Sequence, residues 1–196
     1  MSLAPLFVLI WFLLAFALSI TGWFQQFSSA SVFGMGAVVS ASGLMLLWVF
    51  SRFRGYARAL DLKWLTRAQV LRFFGVLALI KTDQHILPAI FGLPTGIMDV
   101  VMAITSFFVA SRLVSDSGRP RPGFFAWHMA GLLSLAVSVT LATLTSSSRS
   151  GFVEGGITSK PMTWFPMSLA PTFIGPLMLI CHVLALVAGY SRLTAK

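Results

Sequence analysis

The sequence predicts an all-α fold: a polytopic membrane helix bundle of six transmembrane helices, N-in and C-in. Three observations carry this expectation. Of the 196 residues, 57% are hydrophobic and only 10% charged. A soluble domain carries about 25% charged residues, so this chain has too few charges to coat an aqueous surface. The mean hydropathy is +0.89. Apolar runs of roughly 20 residues, the length that crosses a bilayer as a helix, recur six times with short loops between them. That leaves one transmembrane domain over 1–196 and no room for a separate soluble one.

The first span is expected at about 3–23. Ala15-Phe16-Ala17 is a passable signal-peptidase site, but no Lys or Arg precedes the apolar run, so a retained helix is the expectation. The second span, about 31–50, carries Gly36, Ser40 and Gly43 at spacings that let helix backbones approach closely in lipid. Between it and the third span lie Arg52, Arg54, Arg58, Lys63 and Arg67, with Arg72 just inside the next helix. Phe53, Tyr56, Leu60 and Trp64 recur there at helical spacing, while Arg54, Arg58 and Asp61 fall on another face. This predicts a short amphipathic cytoplasmic helix near 52–65, lying in the interface. Thr66 and Gln69 form a capping-box pattern that starts the third span, about 67–87.

Pro88 and Pro94 bracket a turn-prone stretch that joins two spans on the outer side and has the character of a re-entrant segment. The fourth span is expected at about 96–114 and the fifth at about 124–146, the latter with Gly131, Ser134 and Ser138. The outer loop 146–165 is rich in Ser and Gly. The last span, about 166–190, contains Pro171 and Pro176, each of which removes a backbone hydrogen bond and kinks a helix. Arg112, Arg119 and Arg121 lie between spans four and five, and Arg192 and Lys196 in the tail; the opposite loops hold Arg149 and Lys160. The positive-inside rule therefore places both ends in the cytoplasm. The net charge of +9 belongs to these flanks, where it meets membrane lipids through their anionic headgroups, and not to nucleic acid. One cysteine, Cys181, forms no internal disulfide.

Ionisable groups within a bilayer are costly, so each is a functional candidate. An outer-leaflet group comprises Lys81, Asp83, His85 and Asp99. Lys81 and His85 are four apart and share a helix face. Counted from a cap at Thr66, Lys81 lies about 21 Å along its helix. Asp99 falls in the first turn of the fourth span, where the helix dipole favours an anion. This group reads either as interfacial anchors or as a ligand or proton pocket roofed by residues 88–96. An inner group comprises His128 and His182, both about 8–12 Å below the inner surface. Two histidines at matched depth suit a hydrogen-bonded packing pair, or ligands to a haem iron or another metal. Met98 and Met102, one turn apart, read as space-filling side chains. No GxGxxG, HExxH, CxxC or nucleophile-elbow pattern is present, so nucleotide-binding and conventional hydrolase chemistry have no support.

Several stretches of the second half carry a resemblance. They are Leu87-Pro88 through Phe91-Gly92-Leu93-Pro94 to Gly96 and Asp99; Trp127-His128 with Gly131-Leu132-Leu133; and Pro171-Thr172-Phe173 followed by Pro176-Leu177 and His182. With these the chain resembles a family of small, uncharacterised multi-pass membrane proteins from bacteria. The resemblance implies the bacterial inner membrane and no particular activity, substrate or cofactor. Three roles fit the residues: a non-catalytic accessory or scaffold subunit held by partner membrane subunits; a haem- or metal-binding redox protein, or an enzyme on a lipophilic substrate; and a small proton-coupled transporter.

Overall fold

A computed structural model describes residues 4–49, 55, 60–147 and 156–194. Arg52, Phe53, Arg54, Tyr56 and Arg58, most of the expected interfacial helix, lie outside the described residues, as do Arg149 and Lys196. The described residues form helices and no strand. Helix α1 spans Ala4–Ile20 and α2 spans Ser29–Val49. Next come α3, Leu62–Arg67, a 3₁₀ stretch Ala68–Phe74, and α4, Gly75–Asp83, running on as one rod. Then follow α5, Ala89–Arg112, and α6, Phe124–Leu144. A π-helical turn, Ala170–Ile174, leads into α7, Gly175–Thr194. Four segments are long and apolar enough to cross a membrane: Ser29–Leu46, Ala89–Arg112, Phe124–Leu144 and Ala170–Thr194.

The polarity of the bundle is inverted relative to a protein folded in water. Phe7 is 76% exposed and Leu133 66%, whereas Thr66, Gln69, Ser106, His128, Ser134, Ser138 and His182 are buried. In α6 the buried stripe is Phe124, His128, Gly131, Ser134, Ser138 and Ala142, a sequence of small and polar residues at helical spacing. Such an arrangement is stable where the outer solvent is hydrocarbon and polar groups must find partners inside.

The ends of the helices sort into two groups. At one end Arg192 donates to the Gly118 and Leu60 carbonyls (2.8 and 2.6 Å), and Lys63 pairs with Asp116 at 2.9 Å. The ammonium of Lys63 holds the exposed Asp116 carboxyl below the usual carboxylate range. At the other end Lys160 donates to the Gln25 and Phe27 carbonyls (2.7 and 2.6 Å), and Ser29 meets Ser159 at 2.7 Å. The strongly basic segments thus share one end of the bundle.

Three expectations are corrected. Thr66 and Gln69 form no capping box: Asp61 caps α3 by accepting from the Lys63 amide at 2.9 Å, and Thr66 lies one turn inside, donating to the Leu62 carbonyl at 2.7 Å. Asp61 is a better cap because its short carboxylate reaches the free amides of the first turn. The stretch after Pro88 is not a loop. Pro88 precedes α5, whose first turn begins at Ala89, and Pro94 lies inside the helix. Asp99 is therefore the eleventh residue of α5, about 15 Å from its start, and not in a first turn. The last helix begins at Ala170 and not at Pro166.

Pro176 has no amide to give to the Thr172 carbonyl, four residues back. The indole of Trp11 in α1 donates to that carbonyl instead, at 3.2 Å. Gly36 of α2 lies against the Pro171 backbone, where a β-carbon would collide with its carbonyl.

Candidate functional site

The 3₁₀ stretch explains how a polar side chain reaches the centre of the bundle. Thr66, Gln69, Arg72, Gly75 and Ala78 are buried at intervals of three. A 3₁₀ helix repeats every three residues, so Gln69 and Arg72, the two of these within Ala68–Phe74, line up along one edge of the rod. An α-helix would rotate each successive one about 60° away.

Arg72 is 1% exposed and Asp99 21%. The guanidinium Nε donates to Asp99 Oδ1 at 2.8 Å, and Nη2 lies 2.6 Å from the same oxygen in an ion pair. Nη2 also donates to the Ser134 hydroxyl at 2.6 Å and Nη1 to the Gly131 carbonyl at 3.4 Å. The arginine is thus held by two helices at once, α5 and α6. Burying two charges costs several kcal/mol per ion, recovered only where geometry is good and the remaining protons are satisfied. These extra donations meet that condition. A cavity of about 60 Å³ adjoins the pair, lined by Arg72, Asp99, Thr95 and Ser138 on its polar side and by Phe33 and three methionines on the other. The Thr95 hydroxyl and Gln69 Oε1 are buried without a partner among the described residues.

The inner histidines come together. His128 and His182 are both buried, and their Nδ1 atoms lie 2.8 Å apart. His128 Nε2 is 3.3 Å from the Thr66 hydroxyl oxygen. Phe124 and Trp127 pack on the His128 ring, with centroids 4.4 and 4.9 Å away. His182 lies over Gly131, where any β-carbon would strike its imidazole. Two axial imidazoles on opposite faces of a haem iron place their ligating nitrogens roughly 4 Å apart, twice a metal–nitrogen bond of about 2 Å. At 2.8 Å the rings hydrogen-bond directly, and the haem reading does not fit this arrangement. Among the described residues no three His, Cys, Asp or Glu side chains gather as a metal site.

The outer group does not come together. The rod ends at Asp83, so Lys81 and His85 share no helix face; His85 sits in a turn with a positive φ of 55°. Lys81 donates to Gln84 at 3.0 Å, and Asp83 and His85 are exposed. Asp99 leaves that group for Arg72, a residue that sequence reading treated as a topology signal. The i, i+3 repeat of Thr66, Gln69, Arg72 and Gly75 is the signal that identifies Arg72 as inward-facing.

Residues 27–188 match the model of a family described as a domain of unknown function (DUF8737). The match takes in both buried pairs and leaves α1 outside it. No curated protein and no solved structure matches the chain.

Proposed function

The chain belongs to the DUF8737 family, and from that premise we propose that it is a six-span protein of the bacterial inner membrane, both ends cytoplasmic, that passes protons at Arg72–Asp99. The observation that carries this reading is a carboxylate and a guanidinium held in the bundle core, beside a largely apolar cavity that both of them line. Ionisable groups at such depth mark ion and proton paths.

The size of the cavity bears on what it handles. About 60 Å³ accommodates a few water molecules and no metabolite. Asp99 can change charge by taking a proton, and its Arg72 partner then loses its counter-charge. Protonation therefore shifts the balance between α5, α6 and the rod, all of which meet at the guanidinium. The six-span reading adds α1 and the 62–83 rod to the four long helices. The rod is about 36 Å long by standard rises, enough for a bilayer core of about 30 Å. Lys63, Arg67, Arg112, Arg119, Arg121 and Arg192 set the cytoplasmic end and meet anionic headgroups there.

Proteoliposomes under a potassium diffusion potential, with a trapped pH dye, test the proposal. Wild-type vesicles are expected to acidify faster than empty ones, and Asp99→Asn to abolish the difference. Wild-type vesicles no leakier than empty lipid overturn it and return the chain to the accessory-subunit role.

A further inference from the structure

The cavity beside Arg72 and Asp99 runs from the pair towards the Lys160 end of the bundle. Its lining gives the direction: Ala78 lies beyond Arg72 on the rod, Thr95 one turn before Asp99 on α5, Ser138 one turn beyond Ser134 on α6, and Met162 and Met167 in the segment around and after Lys160. Two hydrogen-bond donors on it are idle. The Thr95 hydroxyl is buried and has no partner among the described residues. Nη1 of the guanidinium carries two hydrogens and makes one contact, to the Gly131 carbonyl at 3.4 Å. Ser138 has no hydrogen to spare, since its hydroxyl donates to the Ser134 carbonyl at 2.9 Å.

Spare hydrogens beside a permanent cation describe a place for an anion. Arg72 cannot shed its charge, and at 1% exposure it has almost no access to solvent. While Asp99 is ionised it supplies the counter-charge. Once Asp99 takes a proton, the guanidinium is unbalanced among walls that are mostly apolar, Phe33 and three methionines among them. Neutralising one member of a buried pair is strongly unfavourable. An anion that enters with the proton restores the balance.

We propose that this cavity binds a small, weakly hydrated monovalent anion of halide size, held by Arg72 and Thr95 while Asp99 is protonated. This rests on the proton-passing reading of the same site and names its second ligand. A proton delivered by water forms the O–H bond at Asp99 as the anion takes the carboxylate's place at the guanidinium. One positive and one negative charge enter, so the site stays neutral. When that O–H bond breaks and the proton leaves, the carboxylate reclaims Arg72 and the anion returns through the cavity by which it came. Net movement is that of the proton alone. A space of about 60 Å³ admits a halide and excludes gluconate, and apolar walls favour an anion that loses its water cheaply. A metal cation has the wrong charge beside a guanidinium. The charged and titratable groups on the elements packed against α5 are Lys63, Arg67, Arg72, Lys81 and Asp83 on the rod and His128 on α6. Only Arg72 among them pairs with Asp99, and neither His128 nor His182 and Cys181 of α7 line the cavity.

Titration of detergent-solubilised wild-type protein with sodium bromide, in a gluconate buffer, tests the site. Calorimetry is expected to show a single bromide bound, about tenfold tighter for each unit of fall in pH while Asp99 is ionised in the free protein, because one proton enters with each anion. Asp99→Asn leaves Arg72 permanently unbalanced and is expected to bind bromide with an affinity independent of pH. Thr95→Val removes a hydroxyl that has no partner in the fold, so folding is not at stake; it is expected to weaken bromide about tenfold or more, the loss of a hydrogen bond to a charged group. No binding by wild type at acid or neutral pH, or wild-type binding that is equal at every pH, overturns the anion site and leaves the cavity to water. Affinity unchanged in Thr95→Val overturns it too. In proteoliposomes, exchange of external gluconate for bromide is expected to raise the Asp99-dependent acidification severalfold. Flux equal in the two salts overturns the anion and leaves the proton reading standing; no wild-type flux in either salt overturns the proton reading itself.

Discussion

Arg72 and Asp99 meet in a medium where neither tolerates isolation. Asp99→Ala leaves a buried guanidinium uncompensated and is expected to lower stability by about 3–5 kcal/mol, read from thermal unfolding in detergent. Replacing both members, Arg72→Met with Asp99→Leu, removes the need for compensation. Its stability is expected within about 1 kcal/mol of wild type, while vesicle acidification is lost. A double variant as unstable as the single one shows that the pair is bound into contacts beyond its own charge. Gly131→Ala is expected to cost about 1–3 kcal/mol by overpacking and to shift the His182 imidazole resonances. At this scale little was legible in advance. The matched depth of His128 and His182 is legible because each lies a countable distance from a helix end. Arg72 escaped because a basic residue near a span boundary looks like a topology signal, and its partner on another helix leaves no mark in the linear chain.

Helices were more legible than the breaks within them. Hydropathy alone located α2 and α6 to within about two residues at the start, since lipid-facing runs need only length. One proline is misleading. The sequence reads Pro94 as the end of a turn-prone stretch, yet it sits inside α5, and a missing amide is tolerated there as in other membrane helices packed against neighbours. Pro176 shows how such a gap is filled, through the indole of Trp11. Trp11→Phe keeps the ring against Phe173 but removes the donor. It is expected to cost about 1–3 kcal/mol, the penalty of an unsatisfied buried acceptor, and to raise hydrogen exchange in α1 and the π turn. The 3₁₀ stretch was not foreseen because propensities favour an α-helix there. Only the three-residue spacing of its buried side chains gives it away.

Across the whole molecule, the clasp of Arg192, Leu60, Gly118, Lys63 and Asp116 gathers the basic segments at one end. An impermeant maleimide is expected to label Gln84→Cys in intact cells and Ser117→Cys only after permeabilisation; the reverse pattern inverts the orientation. Within the clasp, the folded pKa of Asp116 lies below its ordinary value. The Lys63 contact is therefore complete above the ordinary carboxylate pKa and is lost as pH falls through the lowered one. Lys63→Ala is expected to raise the Asp116 titration, followed by carboxyl ¹³C shifts, towards the ordinary range, with Arg121 still holding it slightly below. At the other pole of the molecule, the first helix serves a proline on the last. With Pro176→Ala the backbone can close its own bond, and Trp11→Phe is then expected to become nearly silent. The dependence of the bundle on its outermost helix is thus conditional on one imino acid, and a single exchange there converts an obligate strut into an optional one.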